Sequence, residues 1–308
     1  MNEPVVELKD VSRFYGNIMG LNEINLTMGK GMTGLLGPNG AGKSTMLKLI
    51  TGQIRPSKGI IRVLGRKPWD DPGLNWEMGY CPEQDSFFKG MTGRQFVVFG
   101  ARMLGYPKSK AERTAEDAIS RVDMKRSMNR LISGYSKGMR QRIKIAQSLI
   151  NDPRLLVLDE PLAGTDPLGR LKIMDLLFDL SKEGVDIIVS SHVLYEIERL
   201  TEQIVILKNG KLVAEGNIHE IRDSMDRFPL TVRIRSPDTR KMARRLIKMV
   251  DVTSLDLGGD DDELMVRTRD PYRFYEEFQA MMAGSDLSIG SIDSPDDNLD
   301  AIFKYLVD

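Results

Sequence analysis

Residues 32–50 read MTGLLGPNGAGKSTMLKLI: an apolar run, a loop holding three glycines and a proline, and then apolar residues at helical spacing. Within it Gly37, Pro38, Asn39, Gly40, Ala41, Gly42, Lys43, Ser44 and Thr45 match G-x-x-x-x-G-K-[ST], in its expected setting between a strand and a helix. Glycines at that density let successive backbone N–H groups turn toward one anion, and the helix that follows adds the positive end of its dipole. In such a loop the Lys43 ammonium reaches the β- and γ-phosphates and the Ser44 hydroxyl ligates Mg²⁺. The stretch predicts a nucleotide-binding α/β domain.

Further along the chain, RLLVLDE (154–160) and VDIIVSSH (185–192) are nearly continuous apolar runs, the pattern of parallel strands buried on both faces. A helical stretch, LGRLKIMDLLFDLSKEG (168–184), separates them. The first run ends in Asp159 and Glu160. A strand meeting solvent would account for such a pair by itself. Beside a phosphate loop, Asp159 reads as the carboxylate that holds Mg²⁺, and Glu160, one residue further, as the group that orients or deprotonates an attacking water. QIVILKNGKLVAEG (203–216) reads as a closing hairpin turned at Asn209-Gly210.

Upstream, VVELKDVSRFYG (5–16) and LNEINLTM (21–28) alternate as a short antiparallel β layer, and GIIRVLG (59–65) is a further strand followed by a Pro/Trp/Gly loop. Residues 92–151 carry three helical segments with Thr92 and Ser136 as N-caps. Beyond Pro229 the order is strand TVRIR, helix TRKMARRLIKMV, strand VTSLDL, a GGDDD turn, strand ELMVRT, helix PYRFYEEFQAMM, strand DLSIGSI and a last helix NLDAIFKYLV. That is β-α-β-β-α-β plus a helix, the split βαβ pattern of a ferredoxin-like domain.

The 308 residues suit two domains, each able to bury its own core. Net charge is zero, but from Asp251 onward fifteen acidic residues face four basic ones, leaving 29 acidic against 40 basic before it. A nucleic-acid reading of the basic part needs an aromatic or Arg-rich module, and none is visible, so no nucleic-acid partner is expected. One cysteine, Cys81, excludes an intrachain disulfide and fits a reducing cytosol. No apolar run approaches the ~18–20 residues needed to span a bilayer, so the chain is expected to be soluble, with no direct membrane insertion.

GPNGAGKST, YSKGMRQRIKIAQSL (135–149), LLVLDEP (155–161), GTDP (164–167) and SSH (190–192), in that order, resemble the ATP-binding cassette of ABC transporters over residues 1–220. The resemblance implies a P-loop NTPase with a mixed-sheet core, an antiparallel β layer and a helical insert. It places an ATP-binding domain at 1–222, with the insert at about 84–152, and a small acidic α+β accessory domain at 228–308. It also explains the second glycine-bearing loop. In the family that loop completes the ATP site of another subunit, and here the pentapeptide falls on Tyr135-Ser136-Lys137-Gly138-Met139. The Ser136 hydroxyl, the Gly138 N–H and the following helix would cap the γ-phosphate.

Other roles carry over residue by residue. Tyr15, in RFYG, matches the aromatic that stacks on adenine, and His192 the histidine that contacts γ-phosphate and the attacking water; each alone would read as structural. Asp166 in GTDP matches the inter-subunit aspartate, although Thr165 stands where leucine is frequent. In YCPEQD (80–85) the family's γ-phosphate-sensing glutamine position holds Glu83, with Gln84 one residue late. Either Glu83 ligates Mg²⁺ or the loop shifts and Gln84 serves.

YSKGM with CPE resembles the export subgroup whose ATPase and permease are separate chains. The resemblance implies an ATPase that uses ATP and Mg²⁺, pairs with a second copy of itself, and sits at the cytoplasmic face of the membrane through an integral permease. A soluble ABC ATPase not coupled to transport is the alternative; such proteins usually carry two cassettes, and this chain has one GK[ST]. For the acidic domain the sequence leaves a structural or dimerising role and small-ligand sensing both open.

Overall fold

The computed structural model describes residues 3–223, 230–258 and 262–294. Two compact units emerge, Met1–Asn217 and Ile218–Asp308.

The first unit opens with β1 (Val6–Tyr15) and β2 (Ile18–Met28), an antiparallel pair turned at Gly16 and Asn17. Next, β3 (Met32–Leu36) feeds α1 (Lys43–Ile50), and β4 (Lys58–Val63) returns to pair with β1. Strands β2, β1 and β4 form one sheet, the expected antiparallel layer. Its alternation has a cause: Val6, Leu8, Leu26, Met28, Ile61 and Val63 are buried against Met46, Leu47 and Ile50 of α1. The other face is mostly polar, with Ile60 exposed on it.

After β5 (Met78–Cys81) the chain builds the helical insert from α2 (Gly93–Met103), α3 (Lys108–Arg121) and α4 (Lys137–Ser148). Thr92 caps α2 in a reciprocal box with Gln95, and the Ser136 hydroxyl accepts the Met139 N–H at 3.2 Å to cap α4, as expected. The core resumes with β6 (Leu155–Leu158), α5 (Pro167–Lys182), β7 (Asp186–Ser191), α6 (Leu194–Glu198), β8 (Gln203–Lys208) and β9 (Lys211–Asn217). The sheet order is β5-β6-β7-β3-β8-β9, parallel except for the last hairpin. All four residues of β6 are buried, as its apolar run requires. Asn209 and Gly210 turn the β8–β9 hairpin at φ 49° and 74°. That turn is stitched into two other places: the Gly210 N–H donates to Ala41 O at 2.9 Å, and the Asn22 N–H donates to Gly210 O at 2.7 Å.

In the first unit two elements, β5 and α6, were not expected, nor in the second was the six-residue helix Ile218–Asp223. β5 is only four residues with a glycine inside, too short to show alternation, and takes its strand form from pairing with β6. α6 is a five-residue helix, shorter than any periodic window resolves.

In the second unit, α7 (Ile218–Asp223) precedes β10 (Leu230–Arg235), α8 (Thr239–Leu246), β11 (Val252–Leu257), β12 (Glu263–Thr268), α9 (Pro271–Ala283) and β13 (Ser291–Asp293). The sheet order β11-β12-β10-β13 is antiparallel throughout and interleaves two βαβ halves, the ferredoxin-like arrangement. Val232, Ile234, Leu264 and Val266 pack under Met242, Leu246, Phe274 and Phe278. The first unit closes at Asn217, where β9 makes its last pairing, opposite Gln203. α8 ends at Leu246, four residues short of the expected Val250. The Pro229 junction, residues 259–261 of the GGDDD turn and the helix NLDAIFKYLV lie outside the described residues. Among the described residues, no helix is long and apolar enough to cross a membrane.

Candidate functional site

The carboxyl ends of β3, β6 and β7 lie side by side in the sheet, so the phosphate loop, Asp159-Glu160 and His192 leave neighbouring strands at one edge. This is where an open α/β sheet offers a crevice. Gly42 precedes α1 at φ 107°, and a Cβ there would meet Gly20 O at 2.7 Å, so glycine is required on both counts. No side chain caps α1, in contrast to the capped α2, α4 and α5, which leaves its first N–H groups directed at the loop. Lys43 is buried; its ammonium donates to Gly37 O at 2.6 Å and Pro38 O at 3.3 Å.

The same ammonium lies 3.3 Å from Glu160 Oε1, an ion pair without hydrogen-bond geometry, since Oε1 is a buried oxygen with no hydrogen-bond partner. Glu160 Oε2 meets His192 Nδ1 at 2.9 Å. Glu160 adopts a left-handed backbone, φ 48°, a conformation that costs a non-glycine residue roughly 1–3 kcal/mol and concentrates at functional sites. Behind it, the Ser190 hydroxyl donates to Asp159 Oδ1 at 2.7 Å and accepts the Glu160 N–H at 2.9 Å. Ser191 donates to the buried Glu196 at 2.8 Å, and Glu196 pairs with Arg170 of α5 at 3.3 Å, which fixes the backbone on either side of His192.

Glu83 and Gln84 are both exposed, in the loop that follows β5. Their loop is held by α4. The buried Lys144 ammonium donates to Pro82 O at 3.0 Å and Glu83 O at 2.8 Å and pairs with Asp85 Oδ1 at 3.1 Å; Arg140 takes Asp85 Oδ2 at 2.9 Å. Two carbonyl acceptors and the Asp85 carboxylate beside them compensate the buried ammonium, the condition for burying a lysine. Cys81, just ahead of the loop, is fully buried, and burial pushes its thiol up to about 12.

Tyr15 ends β1, half exposed, with the Arg13 guanidinium 4.8 Å from its ring centroid. Ser136 and Gly138 stand at the first turn of α4, next to the start of α5: a Cβ on Gly138 would lie 3.6 Å from Asp166 Oδ2. Asp166 caps α5, accepting the Gly169 N–H at 3.0 Å. Lys137 lies across Gly164, whose φ of 64° and missing side chain make room for the lysine stem. Thr165 is buried and donates to Leu162 O at 2.7 Å, so its hydroxyl closes the turn where leucine would pack.

Most of the predicted residues thus fall into two groups, the phosphate loop with Asp159, Glu160 and His192, and Ser136 and Gly138 with Asp166; Tyr15 stands at the end of β1, and Glu83 and Gln84 in the loop after β5. Ser190, Lys144 and Arg13 escaped the sequence reading. Only the even polarity of SS within an otherwise apolar strand hinted at the first.

The residues fit a nucleotide with Mg²⁺. Ser44, Asp159 and Glu83 or Gln84 are oxygen donors, as a hard cation needs, and the buried, unbonded Glu160 Oε1 suits a water donor. Among the described residues no three His, Cys, Asp or Glu cluster together to hold a metal.

Residues 21–163 match the family model described as ABC transporter. The bacitracin transport ATP-binding protein BcrA of Enterococcus faecalis is 36% identical over 71% of this chain and 71% of its own. The daunorubicin/doxorubicin resistance ATP-binding protein DrrA of Streptomyces peucetius is 28% identical over 98% of this chain and 92% of its own. The chain spans 66% of YxlF, an uncharacterised ABC transporter ATP-binding protein of Bacillus subtilis, at 35% identity over 65% of this chain. Among solved structures, a dimeric bacterial ABC transporter cassette superposes with a TM-score of 0.63 at 26% identity, over 69% of this chain and 98% of the other.

Proposed function

Because the chain belongs to the ATP-binding proteins of the ABC transporter family, we propose that it hydrolyses ATP between two cassettes to drive export through a separate membrane permease. The observation that carries this reading is the convergence of Lys43 and His192 on the two oxygens of Glu160, at the strand ends beside the phosphate loop. Backbone N–H groups of 39–45 and Lys43 bind the phosphates, and Tyr15 stacks on the base. Glu160 takes the proton of the attacking water, and His192 holds that carboxylate in place. Ser44, Asp159 and Glu83 or Gln84 would hold Mg²⁺, which when bound neutralises phosphate charge.

Ser136 and Gly138 sit with Asp166 while Lys43 sits with Glu160, so a second copy supplies the cap over each γ-phosphate. The relatives BcrA and DrrA, named for bacitracin transport and drug resistance, support the export reading, and DrrA matches across the second unit too. Such an enzyme works at the cytoplasmic face of the membrane, held there by its permease.

Sedimentation of Glu160→Gln with saturating ATP and Mg²⁺ tests the pairing. An ATP-stabilised dimer that is lost on adding Ser136→Arg is the expected result. A Glu160→Gln protein that stays monomeric at high concentration removes the composite site from the proposal.

A further inference from the structure

We infer that Ser190 is a positioning residue of the hydrolytic site, its one hydroxyl setting both the metal-side carboxylate of Asp159 and the backbone that presents Glu160. The inference rests on the function proposed above. A serine hydroxyl has one proton to give and lone pairs to accept with. Here the proton goes to Asp159 Oδ1 at 2.7 Å, and a lone pair takes the Glu160 N–H at 2.9 Å. Ser190 has no exposed surface, and β7 holds it between β6 and β3, where it pairs with Leu35. Its position is therefore fixed by the sheet and not by the residues it holds.

Two consequences follow for the site. With Oδ1 committed to Ser190, Oδ2 is the oxygen of Asp159 left for the metal, so the carboxylate is oriented before a ligand arrives. With its N–H tied to the same hydroxyl, Glu160 is held in its left-handed turn, which aims the side chain at Lys43 and His192. An ordinary buried serine satisfies itself on its own strand or helix. This one bridges to the two consecutive residues that follow the neighbouring strand β6, both carrying carboxylates with proposed roles.

Fluorescent ATP-analogue binding, titrated with Mg²⁺, reads the first link without depending on turnover. Ser190→Ala is expected to raise the Mg²⁺ concentration for half-maximal effect by about 10–100-fold, the span for losing a partner of a metal ligand. Metal-free nucleotide affinity should stay unchanged. Ser190→Thr, which keeps the hydroxyl, should restore the midpoint to within a few-fold, and Ser190→Cys, a weak donor, should fall between. Amide exchange at Glu160 reads the second link and should quicken in Ser190→Ala. A Ser190→Ala protein with the wild-type Mg²⁺ midpoint and unchanged Glu160 exchange overturns the inference. Should Ser190→Ala fail to fold, a Ser190→Cys protein that titrates like wild type does the same. Failure of the unaltered protein to bind the analogue at all would instead sink the ATPase reading on which this rests.

Discussion

Glu160 Oε2 and His192 Nδ1 lie 2.9 Å apart, with the carboxylate buried and the imidazole nearly half exposed. The pair is thus anchored from the inside and open from the outside. A histidine so placed holds the carboxylate's direction and still faces whatever enters the crevice.

If the two act as one unit, Glu160→Gln and His192→Ala should each lower ATP turnover by about 10²–10⁴ while ATP still binds. The double variant should fall no more than about tenfold below the worse single one, because residues that act together lose their contribution once. Lys43→Ala should lose binding as well. Steady-state rates and nucleotide-binding assays on all four proteins make the comparison; losses that multiply would show that Glu160 and His192 act separately.

The Mg²⁺ requirement separates Glu83 from Gln84. A carboxylate suits the hard cation better than an amide, so Glu83→Ala should shift the Mg²⁺ dependence of ATP turnover further than Gln84→Ala. A shift confined to Gln84→Ala would place the sensing residue one position later.

Lys144 gives a stability prediction. Lys144→Met keeps the stem and removes the ammonium, leaving the Pro82 and Glu83 carbonyls without their donor, at a cost of about 2–3 kcal/mol. Arg140→Ala breaks a more exposed pair and should cost under about 1 kcal/mol. Urea unfolding measures both, and amide exchange should rise at residues 82–85 in Lys144→Met alone. Equal midpoints for Lys144→Met and wild type would show that the ammonium does not hold the loop.

Cys81 reports on unfolding. Its thiol, raised by burial to about 12, stays protonated in the folded chain through neutral and mildly alkaline pH, whereas an exposed cysteine titrates at about 8.5. The contribution to stability is whole below about 8.5 and declines as pH rises from there toward 12. Ellman's reagent should leave the native protein unlabelled at pH 7–9 and label one thiol per chain in denaturant. Native labelling that climbs about tenfold per pH unit would mean the thiol is accessible.

Much of the site was legible because it is written in local sequence. Strand, loop and helix around Gly37–Thr45 are consecutive, and Asp159 and Glu160 end a run whose burial follows from its composition. The helix caps Thr92 and Ser136 were likewise readable. Ser190 and Lys144 were not, because their roles exist only across strands and between α4 and a loop about sixty residues upstream. β5 owes its form to pairing with β6, which no window of four residues can express. Glu83 and Gln84 were not told apart in sequence for a different reason: both side chains stand in solvent, with neither burial nor a fixed partner to distinguish them.

The suture at Gly210 bears on how this chain comes to exist on the ribosome. β3, which carries the phosphate loop, finds its neighbours in β7 and β8, made about 150 residues later, and the loop's Ala41 carbonyl is bonded by a turn made later still. The motif nearest the start of the chain is therefore among the last to be finished. Emergence of GPNGAGKST gives a nascent chain the letters of a nucleotide site but not its walls. Until the β8–β9 hairpin has cleared the exit tunnel, the face of α1 that packs on Leu155, Val157, Ile188 and Val205 has no complete partner, the kind of exposure that slows folding and invites aggregation. Nucleotide capture then marks completion of the whole first unit.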